Sequence, residues 1–131
     1  SSAASDVYKR QGYSRISSYF GYREQPLAGA STNHKGMDFA APQGTPIYAA
    51  AAGTVTSSGY SGKAGKRIVI NHGNGLVTIY MHGHTLYVSA GTKVSKGQNI
   101  AAVGTTGNST GNHLHFQVNL NGTPVNPLKY L

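Results

Sequence analysis

Gly111-Asn112-His113-Leu114-His115-Phe116-Gln117-Val118-Asn119-Leu120 is the stretch around which the rest of the chain is read. From His113 it alternates strictly. Leu114, Phe116, Val118 and Leu120 fall on one side; His113, His115, Gln117 and Asn119 fall on the other. That period of two is a β-strand with one face for a core and one face left open. Residues i and i+2 of a strand point the same way, with side-chain origins roughly 6.5–7 Å apart, so both histidines can serve one site.

Working outward, Arg67–His72, the turn Gly73-Asn74-Gly75 and Leu76–His82 read as a hairpin. In its second arm the alternation predicts Val77, Ile79 and Met81 on the core face, and Thr78, Tyr80 and His82 on the polar face. Two such strands in one sheet would bring His82 near His113 and His115. His34 and Asp38 are spaced to share a helix face, but Gly36, the alternation that follows and Pro42 favour a loop running into a strand. Arg15–Arg23 reads as one short strand, and 24–33 as loop. Pro46–Thr56 reads as two short strands despite alanines that favour helix. Leu86–Val88, Gly91–Val94 and Asn99–Gly104 read as short strands, 105–112 as a polar loop and 126–131 as a terminal turn. Residues 1–13 read as a linker or irregular arm, with one helical turn around Asp6–Lys9, and 14–131 as a single domain. The expected class is all-β with little helix, built on an antiparallel sheet.

Composition narrows the chemistry. The chain has 131 residues, no cysteine and eighteen glycines, so it has turns in plenty and neither disulfides nor thiolate metal ligands. No apolar run approaches the roughly 20 residues that span a bilayer, and no membrane insertion is expected. A signal peptide's charged start and apolar middle are absent too, which reads as a mature fragment or excised domain. Eleven Lys and Arg against three acids give a net charge of +8. The basic residues are scattered, clustering only at Lys63–Arg67 and without interleaved aromatics. Nucleic acid is therefore not the expected partner; an anionic bacterial envelope fits such diffuse charge. The only side-chain carboxylates are Asp6, Glu24 and Asp38, and no H-E-x-x-H occurs, so acid–base work falls mainly to the six histidines.

His34-x-x-x-Asp38, His82 within Tyr80-Met81-His82, and His113-x-His115 resemble the LytM/lysostaphin-like zinc endopeptidases. The resemblance runs from about Arg15 to Leu131 and includes the flanks Phe20–Arg23, His34–Phe39, Gly91–Val94 and Gly107–Thr110. It implies a loop-walled substrate groove with one catalytic Zn²⁺ at its floor and hydrolysis of peptide cross-links or cross-bridges in bacterial peptidoglycan. It also implies His34, Asp38 and His115 as zinc ligands and His82 and His113 as catalytic histidines; spacing alone does not choose between His113 and His115. Three such ligands leave a fourth tetrahedral position for water, as catalytic zinc requires. His113 is the expected acceptor of the water's proton, with His82 at the oxyanion or the leaving amine.

Lysostaphin-type relatives carry a tyrosine shortly before the first zinc histidine, and Gln25–Asn33 contains none. Arg23 could supply a positive partner to substrate instead. Tyr80 is read as packing residue or groove wall and His84 as groove rim or surface, and both, with Arg23, are candidate substrate or transition-state contacts; His72 is read as a turn or surface residue, and Glu24 as an exposed loop acid. The resulting expectation is a monomeric catalytic domain, extracellular or at the bacterial cell wall, secreted or phage-associated. The rival readings are a catalytically silent wall-binding or regulatory module of the same fold, and a basic polyanion-binding domain. Which bond is cut depends on groove loops, chiefly 57–66 and 86–94.

Overall fold

A computed structural model describes residues 15–18, 21–22, 33–107, 109 and 111–129. The expected N-terminal arm with its helical turn, the loop through Glu24, and Arg23 lie outside the described residues. Within them, alternating residues punctuated by glycine turns form β1 (Arg15–Ser18), β2 (Gly21–Tyr22), β3 (Asn33–His34), β4 (Met37–Ala40), β5 (Pro46–Tyr48) and β6 (Gly53–Tyr60). There follow β7 (Lys66–Gly73), β8 (Leu76–Leu86), β9 (Lys93–Val94), β10 (Asn99–Val103), β11 (His113–Leu120) and β12 (Thr123–Val125). Helix among the described residues is confined to 3₁₀ turns at Gly62–Ala64 and Pro127–Lys129. No helix of the described residues is long and apolar enough to cross a membrane.

Neighbouring strands of the main sheet run β1-β4-β11-β8-β7-β6-β9, with β12 on β11 and β10 on both β8 and β5; β2 and β3 form a separate ladder. The pairings are antiparallel. One face carries the core: Met37 and Phe39 of β4, Leu114, Phe116 and Val118 of β11, Ile68 and Ile70 of β7, and Val55 of β6 are buried together. The Gly73-Asn74-Gly75 turn closes the β7–β8 hairpin with all three residues at positive φ (89°, 53° and 79°). Two glycines and an asparagine suit that geometry, because other side chains resist it.

Several expectations are refined. The strand expected over Arg15–Arg23 is split: β1 pairs with β4, whereas β2 pairs with β3. Ala49–Ala52 lie between β5 and β6, and β6 runs on to Tyr60. Tyr87 and Val88 lie beyond β8, which itself ends at Leu86.

The reading of the β8 faces is inverted. Tyr80 pairs with Phe116 and Thr78 with Val118, so both point to the core; Met81 and Ile79 pair with His115 and Gln117 on the histidine face. Tyr80 is only 2% exposed and packs its ring 5.4 Å from that of Phe116. Its hydroxyl hydrogen-bonds Thr78 Oγ1 (2.8 Å) and accepts the Ala50 N–H (3.0 Å). Thr78 Oγ1 in turn reaches His72 Nε2 (2.6 Å), whose Nδ1 meets the Ala52 carbonyl (2.8 Å). The polar atoms satisfy one another, which is what lets them enter a core. Burial, against smaller opposing effects of Thr78 and Ala50, pushes the Tyr80 hydroxyl up to about 12. Tyr80 is therefore a core packing residue, not a groove wall or substrate contact.

Candidate metal centre

Two pieces of backbone geometry assemble the site. β4 and β11 pair with Asp38 directly opposite His115, while Met37 opposite Phe116 and Phe39 opposite Leu114 anchor the two strands to the core. His34 ends β3, and the bend at Lys35–Gly36 turns the chain into β4. His34 and Asp38 thus meet across a bend rather than along a helix. Asp38 Oδ2 lies 3.4 Å from His34 Nε2 and Oδ1 lies 2.8 Å from His115 Nδ1. Ligand atoms of the three residues all fall within 4.8 Å of one another.

This donor set fits zinc. Bonds of about 2.0–2.1 Å in a tetrahedron put ligand atoms roughly 3.4 Å apart, and two imidazoles with one carboxylate are a usual catalytic set. Asp38 Oδ2 already stands at that spacing from His34 Nε2, while Oδ1 is at hydrogen-bond distance from His115 Nδ1. Burial alone would raise the Asp38 carboxyl, but hydrogen bonds and charge from His115 and His34 outweigh it and hold the group well below the usual carboxylate range. An ionised Asp38 is what a cation requires.

His113 and His82 stand beside these three. His113 Nε2 is 3.8 Å from Asp38 Oδ1. Its Nδ1–H faces the Gly111 carbonyl at 2.9 Å and Ser109 Oγ at 3.1 Å. The His82 ring lies 4.8 Å from that of His113 and 6.4 Å from that of His115, and its Nδ1–H donates to the Thr106 carbonyl at 2.8 Å. A carbonyl can only accept, so both rings carry hydrogen on Nδ1 when neutral and keep the Nε2 lone pair. Burial chiefly, with the neighbouring histidines, holds His82 below the ordinary histidine value despite opposing help from Thr106 and Asp38.

His82 reaches this group through a defect in the strand. Its φ is +64°. Between the pairs Ile68↔Tyr80 and Lys66↔Gly83 the β7–β8 register shifts, as a bulge with an extra residue on β8 requires. On its other side β8 passes from β11 to β10, and a Gly104↔His113 bridge joins those two strands. His84, beyond the bulge, is exposed and shares a hydrogen bond with Thr85 Oγ1 (2.8 Å).

Several supporting residues escaped the sequence reading. Thr106 holds His82 through its carbonyl, while its hydroxyl donates to the Gly83 carbonyl (2.6 Å) and accepts the Lys66 N–H (3.0 Å). Gly36 leaves room for His115: a Cβ there would stand 2.7 Å from its Nε2 and 2.5 Å from the Phe116 carbonyl oxygen. Ser109 and Gly111 hold His113. Only the Gly107–Thr110 flank hinted at this loop.

The sequence and fold of this chain are similar to those of known proteins. The model of peptidase family M23 matches residues 32–127. The peptidoglycan DD-endopeptidase ShyA of Vibrio cholerae is 43% identical over 116 residues, covering 88% of this chain and 27% of that protein. This chain thus spans about a quarter of such curated relatives. The catalytic domain of the antimicrobial peptidase lysostaphin from Staphylococcus simulans superposes with a TM-score of 0.82 at 30% identity, covering 97% of this chain and 96% of that one. A zinc-containing peptidase from Vibrio cholerae superposes with a TM-score of 0.80 at 39% identity, covering 87% of this chain and 36% of that one. On its family match over most of its length, its antiparallel fold and its His–Asp–His cluster, the chain belongs to peptidase family M23, the LytM/lysostaphin-like metalloendopeptidases.

Proposed function

We propose that residues 14–131 form the catalytic unit of a zinc-dependent endopeptidase that cuts peptide cross-links of bacterial peptidoglycan. The observation that carries this is Asp38 set between His34 and His115, with His113 and His82 alongside. The name of the ShyA relative favours peptidoglycan as substrate and a D,D bond as the one cut. The zinc-containing neighbour favours zinc. A net charge of +8 suits an enzyme working on an anionic wall, outside the cell that makes it or delivered by a phage.

His34, Asp38 and His115 would hold one zinc ion, which supplies Lewis acidity toward a scissile carbonyl and acidifies a water molecule. His113 then takes the water's proton at Nε2, the nitrogen left free because Nδ1–H is bound by Gly111. His82, whose Nδ1–H is bound by the Thr106 carbonyl, would take up a proton at Nε2. Burial and neighbouring imidazoles hold it below the ordinary value, so it gives up that proton readily, which suits delivery to the leaving amine. Arg23, by its charge, and the exposed His84 are proposed as contacts for the substrate.

The test is release of peptides from purified sacculi, followed by mass spectrometry. Hydrolysis should stop on chelation and return with Zn²⁺. A chain that binds sacculi but frees no peptide with zinc present would be a silent wall-binding module, and the enzyme reading would fall. Products from defined muropeptides would name the bond.

A further inference from the structure

The polar face of β11 does not end at the candidate ligand. His115, Gln117 and Asn119 follow at i, i+2 and i+4, and their side chains are joined in a row. His115 Nε2 lies 3.2 Å from Gln117 Oε1, and Gln117 Nε2 donates to Asn119 Oδ1 at 3.0 Å. Gln117 is 7% exposed and His115 9%, so these bonds are largely shielded from water.

We infer that Gln117, oriented by Asn119, is a positioning residue that presents His115 Nδ1 to the metal. This rests on the zinc reading given above. Hydrogen count decides which nitrogen is left to the metal. An amide oxygen has no hydrogen to give, so the contact at Nε2 requires Nε2–H. Neutral imidazole carries one hydrogen; with Gln117 holding it on Nε2, Nδ1 is the nitrogen that offers its lone pair once a metal takes the place of the Nδ1–H···Asp38 hydrogen bond (2.8 Å). Asn119 supports this orientation by accepting the Gln117 Nε2–H, which leaves the amide oxygen toward the ring. Gly36 leaves the ring its place: a Cβ there would stand 2.7 Å from His115 Nε2, so a side chain at that position would push the ring off this contact.

Mere satisfaction of a buried amide predicts no link to metal affinity; positioning does. Outer partners of metal-bound histidines are typically worth 10–100-fold in affinity. The experiment uses the 131-residue chain freed of metal, with zinc affinity measured by competition against a chelating fluorophore and thermal unfolding of the metal-free form as control. Gln117→Met keeps bulk and removes the acceptor, and should bind zinc about 10–100-fold more weakly. Gln117→Glu keeps an oxygen toward Nε2, Asn119 turning its amide to donate, and should bind at least as tightly as the unsubstituted chain. Met binding as tightly as the unsubstituted chain, or Glu losing as much as Met, overturns the inference. Should Gln117→Met not fold, Asn119→Leu decides. It should lose affinity several-fold with metal-free unfolding unchanged, and an unaltered affinity overturns the proposal. An unsubstituted chain that takes up no zinc defeats the metal reading and this inference together, whereas zinc uptake indifferent to these substitutions defeats this inference alone.

Discussion

His82 and His113 stand with their rings 4.8 Å apart, yet they come from strands that part company at that point. β8 leaves β11 after Met81 and continues beside β10 from Gly83. The bulge with φ of +64° at His82 turns onto the open face a side chain that strict alternation would have sent, with Tyr80, into the core. A non-glycine residue held there costs of order 1–2 kcal/mol, borne by the surrounding packing.

Substitution at His82 should therefore separate backbone strain from chemistry. His82→Asn and His82→Ala are both expected to lower peptide hydrolysis by about 10²–10⁴-fold while zinc stoichiometry stays at one. Asparagine tolerates the left-handed region better than alanine, so His82→Asn should be the more stable variant by about 1 kcal/mol. Urea unfolding of the two metal-free variants measures this. Equal stabilities would mean the bulge relaxes when the imidazole goes.

The same residue gives a pH signature. His82 titrates below its unfolded value of 6.5, so between those two values the unfolded chain binds more protons than the folded one. Stability must then rise with pH across that window and level off above it. Comparing urea midpoints of the unsubstituted chain and His82→Asn from about pH 5 to 8 isolates the effect. The unsubstituted chain should gain on the variant as pH rises through the window; parallel curves would show that His82 carries no shift.

Thr106 ties three elements together, its hydroxyl bridging Lys66 N–H and the Gly83 carbonyl while its carbonyl accepts from His82. Thr106→Val keeps shape but strands both backbone groups, costing about 1–3 kcal/mol. Hydrolysis should fall by more than the folded fraction does, because His82 loses its fixed orientation. Thr106→Ser should recover most of both. If valine lowers stability and leaves turnover per folded molecule intact, the loop does not position His82.

Much of this arrangement was legible because β11 obeys its period. His113, His115, Gln117 and Asn119 share a face as the alternation requires, and the Gly-Asn-Gly turn marks its hairpin. The β8 faces were misread because hydropathy ranks Tyr80 and Thr78 as polar, whereas mutual bonds with Ala50 and His72 cancel their polarity inside the core. His82 was placed near the right partners by reasoning from the wrong face, since a one-residue bulge leaves no mark in a period of two. The Thr106 contact joins residues 24 positions apart in the chain and acts through a backbone carbonyl, which no side-chain pattern announces.

Gly36 offers the most local test of how the metal centre is held. Its hydrogen occupies a position where a methyl carbon would meet the Phe116 carbonyl oxygen at 2.5 Å and His115 Nε2 at 2.7 Å. The first obstacle is backbone of a central strand, so it cannot swing aside as a flexible side chain would. Gly36→Ala must instead push β4 away from β11 or tilt the His115 ring, and either motion opens the gap between Asp38 and His115. Overpacking of this kind costs about 1–3 kcal/mol, and the loss should appear in metal-free unfolding and again in weaker zinc binding. Gly44, also away from strand pairing, has nothing within 4 Å of its Cβ position but sits at a φ of +91°. Gly44→Ala is thus expected to cost stability through backbone strain alone and to leave zinc affinity unchanged. Zinc affinity untouched in Gly36→Ala, or equally reduced in both variants, would show that the close approach of Gly36 does not govern the ligand geometry.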